Sequence, residues 1–399
     1  MTGSAHHEVV VVGAGPAGLA TAACLARRGI GGVVVDKASS VGAAWRSRYD
    51  RLHLHTPRVQ SALPGMRIPR SAGRWVSRDD FVAYLEAYAE RHHIRPWFDV
   101  EVERLERAGD HWEVTTSAGT FEAEVVVLAT GYNGAPFVPS WPGRETFTGT
   151  LVHASTYRTG AAFAGRDVLV VGSGNTGAEI AVDLVEQGAG RVLLAIRSAP
   201  HVVPRTVAGV PTTLLGIPNQ FAPPALADPV NRALQRLTVG DLTPYGLPSP
   251  EDGLVTRFRA SDVVPIIDVG LVAQLRAGRI EPVAAVAGFE PDAVLLENGT
   301  RVEVDAVVAA TGYRTGLAPL VGHLGILDTR GRPTFRSGTT HPAAPDLHLV
   351  GLRNPLIGLL NAIRRDAERV ARAVADSRHE GRPGRTHRRW GSRRQSAEP

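Results

Sequence analysis

Cysteine is almost absent from this chain: there is one, Cys24, in 399 residues. A disulfide within the chain, a Cys-x-x-Cys redox pair and a cysteine-built metal centre are all excluded. A reducing, cytoplasmic compartment fits that composition. Unbroken apolar runs are missing too. The longest, Val9 to Ala26, is cut by Gly13, Gly15, Pro16 and Gly18, so it reads as strand, turn and helix and not as a membrane span. The opening MTGSAHHEVV has no signal-peptide core. Charge of one sign is confined to one end. Between Ser377 and Pro399, seven arginines face Glu380 and Glu398, which accounts for the whole net charge of +5. The remainder is neutral, which argues against nucleic acid as a partner. Residues 379–399 read as a basic disordered tail.

Glycine, in contrast, is plentiful, at 43 residues. VVVVGAGPAGLATAACLARRG runs as a buried strand, a turn and a helix, and VVVD follows as the next strand. In this βαβ unit Gly13 serves the tight turn, Gly15 lets a pyrophosphate approach the backbone, and Gly18 allows helix and strand to pack closely. The helix N-terminus adds free N–H groups and a positive dipole end. Asp36, with Lys37 beside it, ends the second strand 23 positions after Gly13, where a carboxylate can accept hydrogen bonds from ribose hydroxyls.

The same grammar returns in DVLVVGSGNTGAEIAVDLVEQGAGRVLLAIR, with Gly172, Gly174 and Gly177 in the turn and Asn175 opening the helix. Its second strand ends on Arg197 and Ser198 instead of an acid. An arginine pairs with a ribose 2′-phosphate that a carboxylate would repel, so this site is expected to take NADPH, with Arg205 or His201 as further contributors. The first site, with its acid, suits the adenosine half of FAD. Two further strands end alike, on Ala129-Thr130-Gly131-Tyr132 and on Ala310-Thr311-Gly312-Tyr313. Thr130 and Gly131 are assigned to the FAD side. The expected class is α/β, with two Rossmann-like dinucleotide-binding domains, the second inserted into the first. The expected limits are an FAD domain over 1–155 and 306–378 and an NADPH domain over 156–305. Residues 200–265 are rich in proline and loops, with a short helix near Asp228 to Leu237.

Beyond these units, FTGTLVHASTY carries Phe147, Gly149, His153 and Tyr157 at fixed offsets with neither helical nor strand periodicity. It resembles the Phe-x-Gly-x-x-x-His-x-x-x-Tyr motif of the class B flavin-dependent monooxygenases, most closely their YUCCA-type members. GAAWRSRYDRLHLHTPR, RSAPHVVPR, YGLPSPEDG, PIIDVG and AATGY follow the family order, so the resemblance spans about Val9 to Ala375. It implies that NADPH reduces FAD, that dioxygen adds to the reduced flavin at C4a, and that one oxygen atom passes to a small organic substrate. A 2-oxo acid such as indole-3-pyruvate, losing carbon dioxide, is the implied substrate. Oxygenation of an amine or thioether is the alternative, and a non-oxygenating reductase or an inactive nucleotide-binding flavoprotein is the rival class.

In the resemblance, Trp45 lines the flavin and His55 stands near it as the catalytic candidate. Core filling and a backbone-bound histidine are the plainer readings of the same two residues. Tyr132 and Tyr313 are read as packing. The four motif residues form a linker that carries the chain between nucleotide domains and holds two cofactors in register.

Overall fold

The computed structural model describes residues 5–219 and 221–381. The chain begins with β1 (Ala5–Val12), α1 (Pro16–Ala26), β2 (Val33–Val35) and α2 (Arg78–Arg91), then β3 (Val102–Ala108), β4 (His111–Thr116) and β5 (Gly119–Leu128). Next come β6 (Thr150–His153), β7 (Asp167–Val171), α3 (Asn175–Glu186) and β8 (Arg191–Ile196), followed by α4 (Pro224–Thr238) and α5 (Leu254–Ser261). Strands β9 (Glu281–Ala284), β10 (Val286–Phe289), β11 (Ala293–Leu296), β12 (Arg301–Glu303) and β13 (Ala306–Ala309) precede β14 (Leu347–Leu349) and the closing helix α6 (Leu359–Gly381).

Two sheets organise these elements. The first has the order β2-β1-β5-β4-β3, with β14 parallel to the C-terminal half of β5. Strands β2, β1 and β5 are parallel, whereas β3, β4 and β5 form an antiparallel meander. The second sheet, β9-β8-β7-β13-β6, is parallel throughout. Val9 to Val12 and Val168 to Val171 are buried because helices or loops cover both faces of each sheet, which is why they read as continuous apolar runs without alternation. Helix α1 lies against α6, and one core joins β1, α1, α2 and α6. The Asn298-Gly299 turn joins β11 to β12, with Gly299 at φ +82°.

The strand pairing moves the expected domain limits. Both β6 and β13 belong to the second sheet, although 150–153 and 306–309 fall on the FAD side of the limits drawn from sequence. The stretch 147–157 is likewise not wholly irregular: Thr150–His153 is an edge strand, too short to display a period of two. The tail shifts too. Helix α6 runs on through 379–381, the first residues of the expected tail, and Arg378 just before them forms an ion pair with Glu8. The rest of the expected tail, 382–399, lies outside the described residues. Among those described, no helix is long and apolar enough to cross a membrane.

Candidate active site

The two glycine turns are superimposable in their reasons. A Cβ on Gly13 (φ +114°) would lie 2.6 Å from the Ala129 carbonyl oxygen, and one on Gly172 (φ +120°) would lie 2.5 Å from that of Ala310. A Cβ on Gly18 would meet the Gly13 oxygen at 1.7 Å, and one on Gly177 the Gly172 oxygen at 1.9 Å. Of these six, the middle glycines Gly15 and Gly174 face open space, with nothing among the described residues within 4 Å. Each is also the N-cap of its helix and offers no side chain, so the first N–H groups of α1 and α3 are left for a ligand. The repeated Ala-Thr-Gly ends are explained as well: each abuts the first glycine of a turn, one at the tip of β5 and one beyond β13.

Both turns open into a single cavity of about 1970 Å³. Its lining includes Asp36, Lys37, Trp45, His55, Thr130 and Gly131. Asp36 sits at the strand end with its carboxylate already oriented, accepting from the Ala14 N–H at 2.6 Å and the Ala38 N–H at 2.8 Å. Lys37 is exposed and pairs with Glu101 at 3.3 Å. The Thr130 hydroxyl is buried without a partner among the described residues. Gly131 takes φ +77°. Trp45 lines the cavity while its ring meets Phe81 edge-on at 4.6 Å. Gly351, before the last helix, closes the cavity near α1, where its Cβ would lie 2.9 Å from that of Ala17. These features fit a dinucleotide: an open backbone cradle, an acid for the ribose and an unsatisfied hydroxyl.

At the second turn the side chains divide. Asn175 borders the cavity, but its amide is spent on the Pro265 carbonyl (3.0 Å) and the Ile267 N–H (2.8 Å). Only its backbone is left facing the cavity, its side chain being so engaged. Arg197 and Ser198 are exposed beyond β8, outside the cavity lining. Arg205 is engaged elsewhere: it donates to the Leu54 carbonyl at 2.9 Å and stacks on Trp75 at 4.1 Å, and burial lowers its pKa to about 10. His201 is buried against Gln235. The sequence placed both near a phosphate; the tertiary contacts withdraw them.

The residues of the Phe-x-Gly-x-x-x-His-x-x-x-Tyr motif serve structure. A Cβ on Gly149 would lie 2.4 Å from the Phe147 ring, which packs on Phe289 at 5.3 Å, and 2.9 Å from the Asp305 carbonyl oxygen; a folded-over aromatic and a neighbouring backbone carbonyl together require this glycine. His153 Nδ1 accepts from the Ser155 N–H at 3.0 Å, so Nε2 carries the proton and donates to the Gly312 carbonyl at 3.1 Å. Burial lowers its pKa. Tyr157 is in the core of the second sheet. Tyr313, read as packing, does more: it meets His153 edge-on at 5.1 Å and accepts a 2.5 Å bond from Arg48 at the cavity wall.

A set of contacts between the sheets has no counterpart in the sequence reading. The loop after Trp45 lies on α3. Arg51 forms a two-pronged pair with Glu186, at 2.9 and 2.8 Å. The Asp50 N–H donates to the Arg158 carbonyl, and Arg158 donates back to the Arg46 carbonyl. Tyr49 is buried in the second core, its hydroxyl bonded to Glu179, and burial followed by that carboxylate drives its pKa well up. His55 Nε2 lies 2.8 Å from Glu179 Oε1, short but off the line of a good hydrogen bond. Glu179, Asp183 and Glu186 follow i, i+4, i+7 spacing and share one face of α3. That acidic stripe on an otherwise apolar helix is the signal that would have found them. The 200–265 segment, of unassigned role from sequence, supplies apolar lining through Val203, Leu215, Val230, Leu234 and Val263.

Comparison with known proteins agrees with this geometry. Residues 10–206 match the family model described as pyridine nucleotide-disulphide oxidoreductase. "Probable indole-3-pyruvate monooxygenase YUCCA4" of Arabidopsis thaliana is 34% identical over 376 residues, covering 92% of this chain and 89% of that protein. Indole-3-pyruvate monooxygenase YUCCA1 of Oryza sativa subsp. japonica is 36% identical over 326 residues, 80% of each chain. Among solved structures, the flavin-containing monooxygenase from Stenotrophomonas maltophilia aligns with a TM-score of 0.72 at 26% identity, covering 94% of this chain and 99% of that one. The chain belongs to the class B flavin-dependent monooxygenases, in their YUCCA-type branch, and is an FAD- and NADPH-dependent oxidoreductase.

Proposed function

We propose that this enzyme oxygenates a 2-oxo acid with loss of carbon dioxide, indole-3-pyruvate being the lead substrate. The carrying observation is that two separate dinucleotide cradles open into one cavity with an apolar wall. The names of the plant relatives support the substrate class. In this reading FAD lies against Gly13, Gly15, Gly18, Asp36, Lys37, Trp45, Thr130 and Gly131. NADPH lies against Gly172, Gly174, Gly177 and the Asn175 backbone, with Arg197 and Ser198 at its ribose phosphate.

When bound, FAD supplies oxygen activation at the expense of NADPH, a chemistry no side chain carries. The protein's own work is positioning and exclusion. The open turns seat the phosphates, Asp36 holds a ribose, and the 200–265 segment covers the cavity with apolar groups that keep water from the reacting end. His55 borders the same space. In the balanced reaction one oxygen atom joins the keto carbon as its bond to the carboxylate breaks and carbon dioxide leaves. The other oxygen atom becomes water with the NADPH hydride and a proton. The single buried cysteine suits a reducing cytoplasm.

The test gives the holoenzyme NADPH and ¹⁸O-labelled dioxygen with indole-3-pyruvate, a primary amine or a thioether. One labelled oxygen in the shortened acid and one carbon dioxide per product are expected. An N-oxide or sulfoxide would move the enzyme to the amine or thioether class. Hydrogen peroxide as the sole product with every substrate would defeat the proposal.

A further inference from the structure

We propose that Glu179 is a positioning residue that orients the His55 imidazole from across the domain boundary. The inference rests on the reading that His55 borders the reacting end of the bound flavin.

Glu179 is 3% exposed, yet it is on the helix whose first turn forms the second dinucleotide cradle, one turn beyond Asn175. A carboxylate so deep in a Rossmann helix needs partners. Its partners come from the other domain: the Tyr49 hydroxyl bonds to it, and His55 Nε2 stands 2.8 Å from Oε1. Arg51 and Arg205 lie near enough to balance its charge. At that separation a small rotation of the ring completes a hydrogen bond from Nε2–H. His55 Nδ1 is then the free nitrogen. It is buried without a partner among the described residues, and His55 lines the cavity. A carboxylate behind one imidazole nitrogen decides which nitrogen carries the proton and where the other points. The geometry makes the imidazole at the first site depend on a helix of the second.

The experiment records ¹⁵N spectra of the histidine rings in the FAD-loaded protein, with His55→Asn to assign the signal. In parallel it measures product and hydrogen peroxide per NADPH oxidised. Glu179→Ala is expected to shift the His55 nitrogens and to lower product per NADPH roughly tenfold, the loss of one hydrogen bond to a charged group. Glu179→Gln, which retains an acceptor oxygen, should return both readouts towards the wild type even if the alanine variant folds poorly. Glu186→Gln breaks the neighbouring Arg51 pair and should leave the His55 nitrogens in place. The proposal is overturned if the His55 nitrogens do not move in either Glu179 variant, or move with no change in coupling. Failure of the monooxygenase reading would look different, as absence of oxygenated product from the wild type.

Discussion

The Tyr157 hydroxyl donates to Asp183 Oδ2 at 2.6 Å, and the Gly160 N–H donates to the same oxygen at 2.8 Å. This buried carboxylate on α3 thus anchors the last residue of the crossing between the two sheets. Tyr157→Phe removes one of its two donors and leaves Asp183 4% exposed and undersatisfied. A stability loss of about 1–3 kcal/mol is expected, read as a lower denaturant midpoint, with FAD retained and more NADPH lost to peroxide. Loss of FAD with coupling intact would contradict the anchoring role.

The glycine turns allow a sharper comparison. Gly18→Ala and Gly177→Ala drive a methyl group into a backbone carbonyl and should give insoluble or unfolded protein. Gly15→Ala and Gly174→Ala meet none of the described residues and should fold with a nearly unchanged Tm. Their cost should appear only in binding, as weaker FAD retention for the first and a higher KM for NADPH for the second. Calorimetry and cofactor titration of the four variants separate the two classes.

Arg197 stands exposed at the end of β8, where a ribose phosphate would add a charge-assisted pair. Arg197→Glu should lower the kcat/KM ratio of NADPH to NADH by tenfold or more without altering stability. An unchanged ratio in steady-state assays would remove this residue from the NADPH site.

His348, on β14, is 4% exposed, and burial lowers its pKa to about 4. The unfolded chain binds its proton near pH 6.5 and the folded chain only near 4, so the unfolded state gains protons first as the solution is acidified. The stability associated with neutral His348 is therefore complete above about pH 6.5 and is lost as pH falls towards 4, by about 3 kcal/mol at the lower end. His153, whose pKa burial also lowers, acts with the same sign. His348→Leu should flatten the acid limb of Tm against pH, and an unaltered limb would show that this histidine does not govern it.

The glycine cradles were legible from sequence because their spacing is set within one βαβ unit, by the turn at the first glycine and by the close approach of the third glycine to the first. Asp36 was legible for the same cause: a strand length sets its distance from Gly13. The edge strand at Thr150–His153 was not, because its partner β13 is some 150 residues away and four residues show no period. Gly149 was recognised in its motif but not its cause, since the Asp305 carbonyl oxygen that its Cβ would meet at 2.9 Å belongs to a distant part of the chain.

By itself, then, the sequence determined the class of fold, the number of dinucleotide sites and the family, all of which depend on short-range spacing. Only the tertiary structure decided what those sites share. Arg51 with Glu186, Tyr49 and His55 with Glu179, and Arg205 with Leu54 join residues more than 100 positions apart. Such pairs form because folding brings the acidic face of one helix against one loop, and burial then requires every charge there to find a partner.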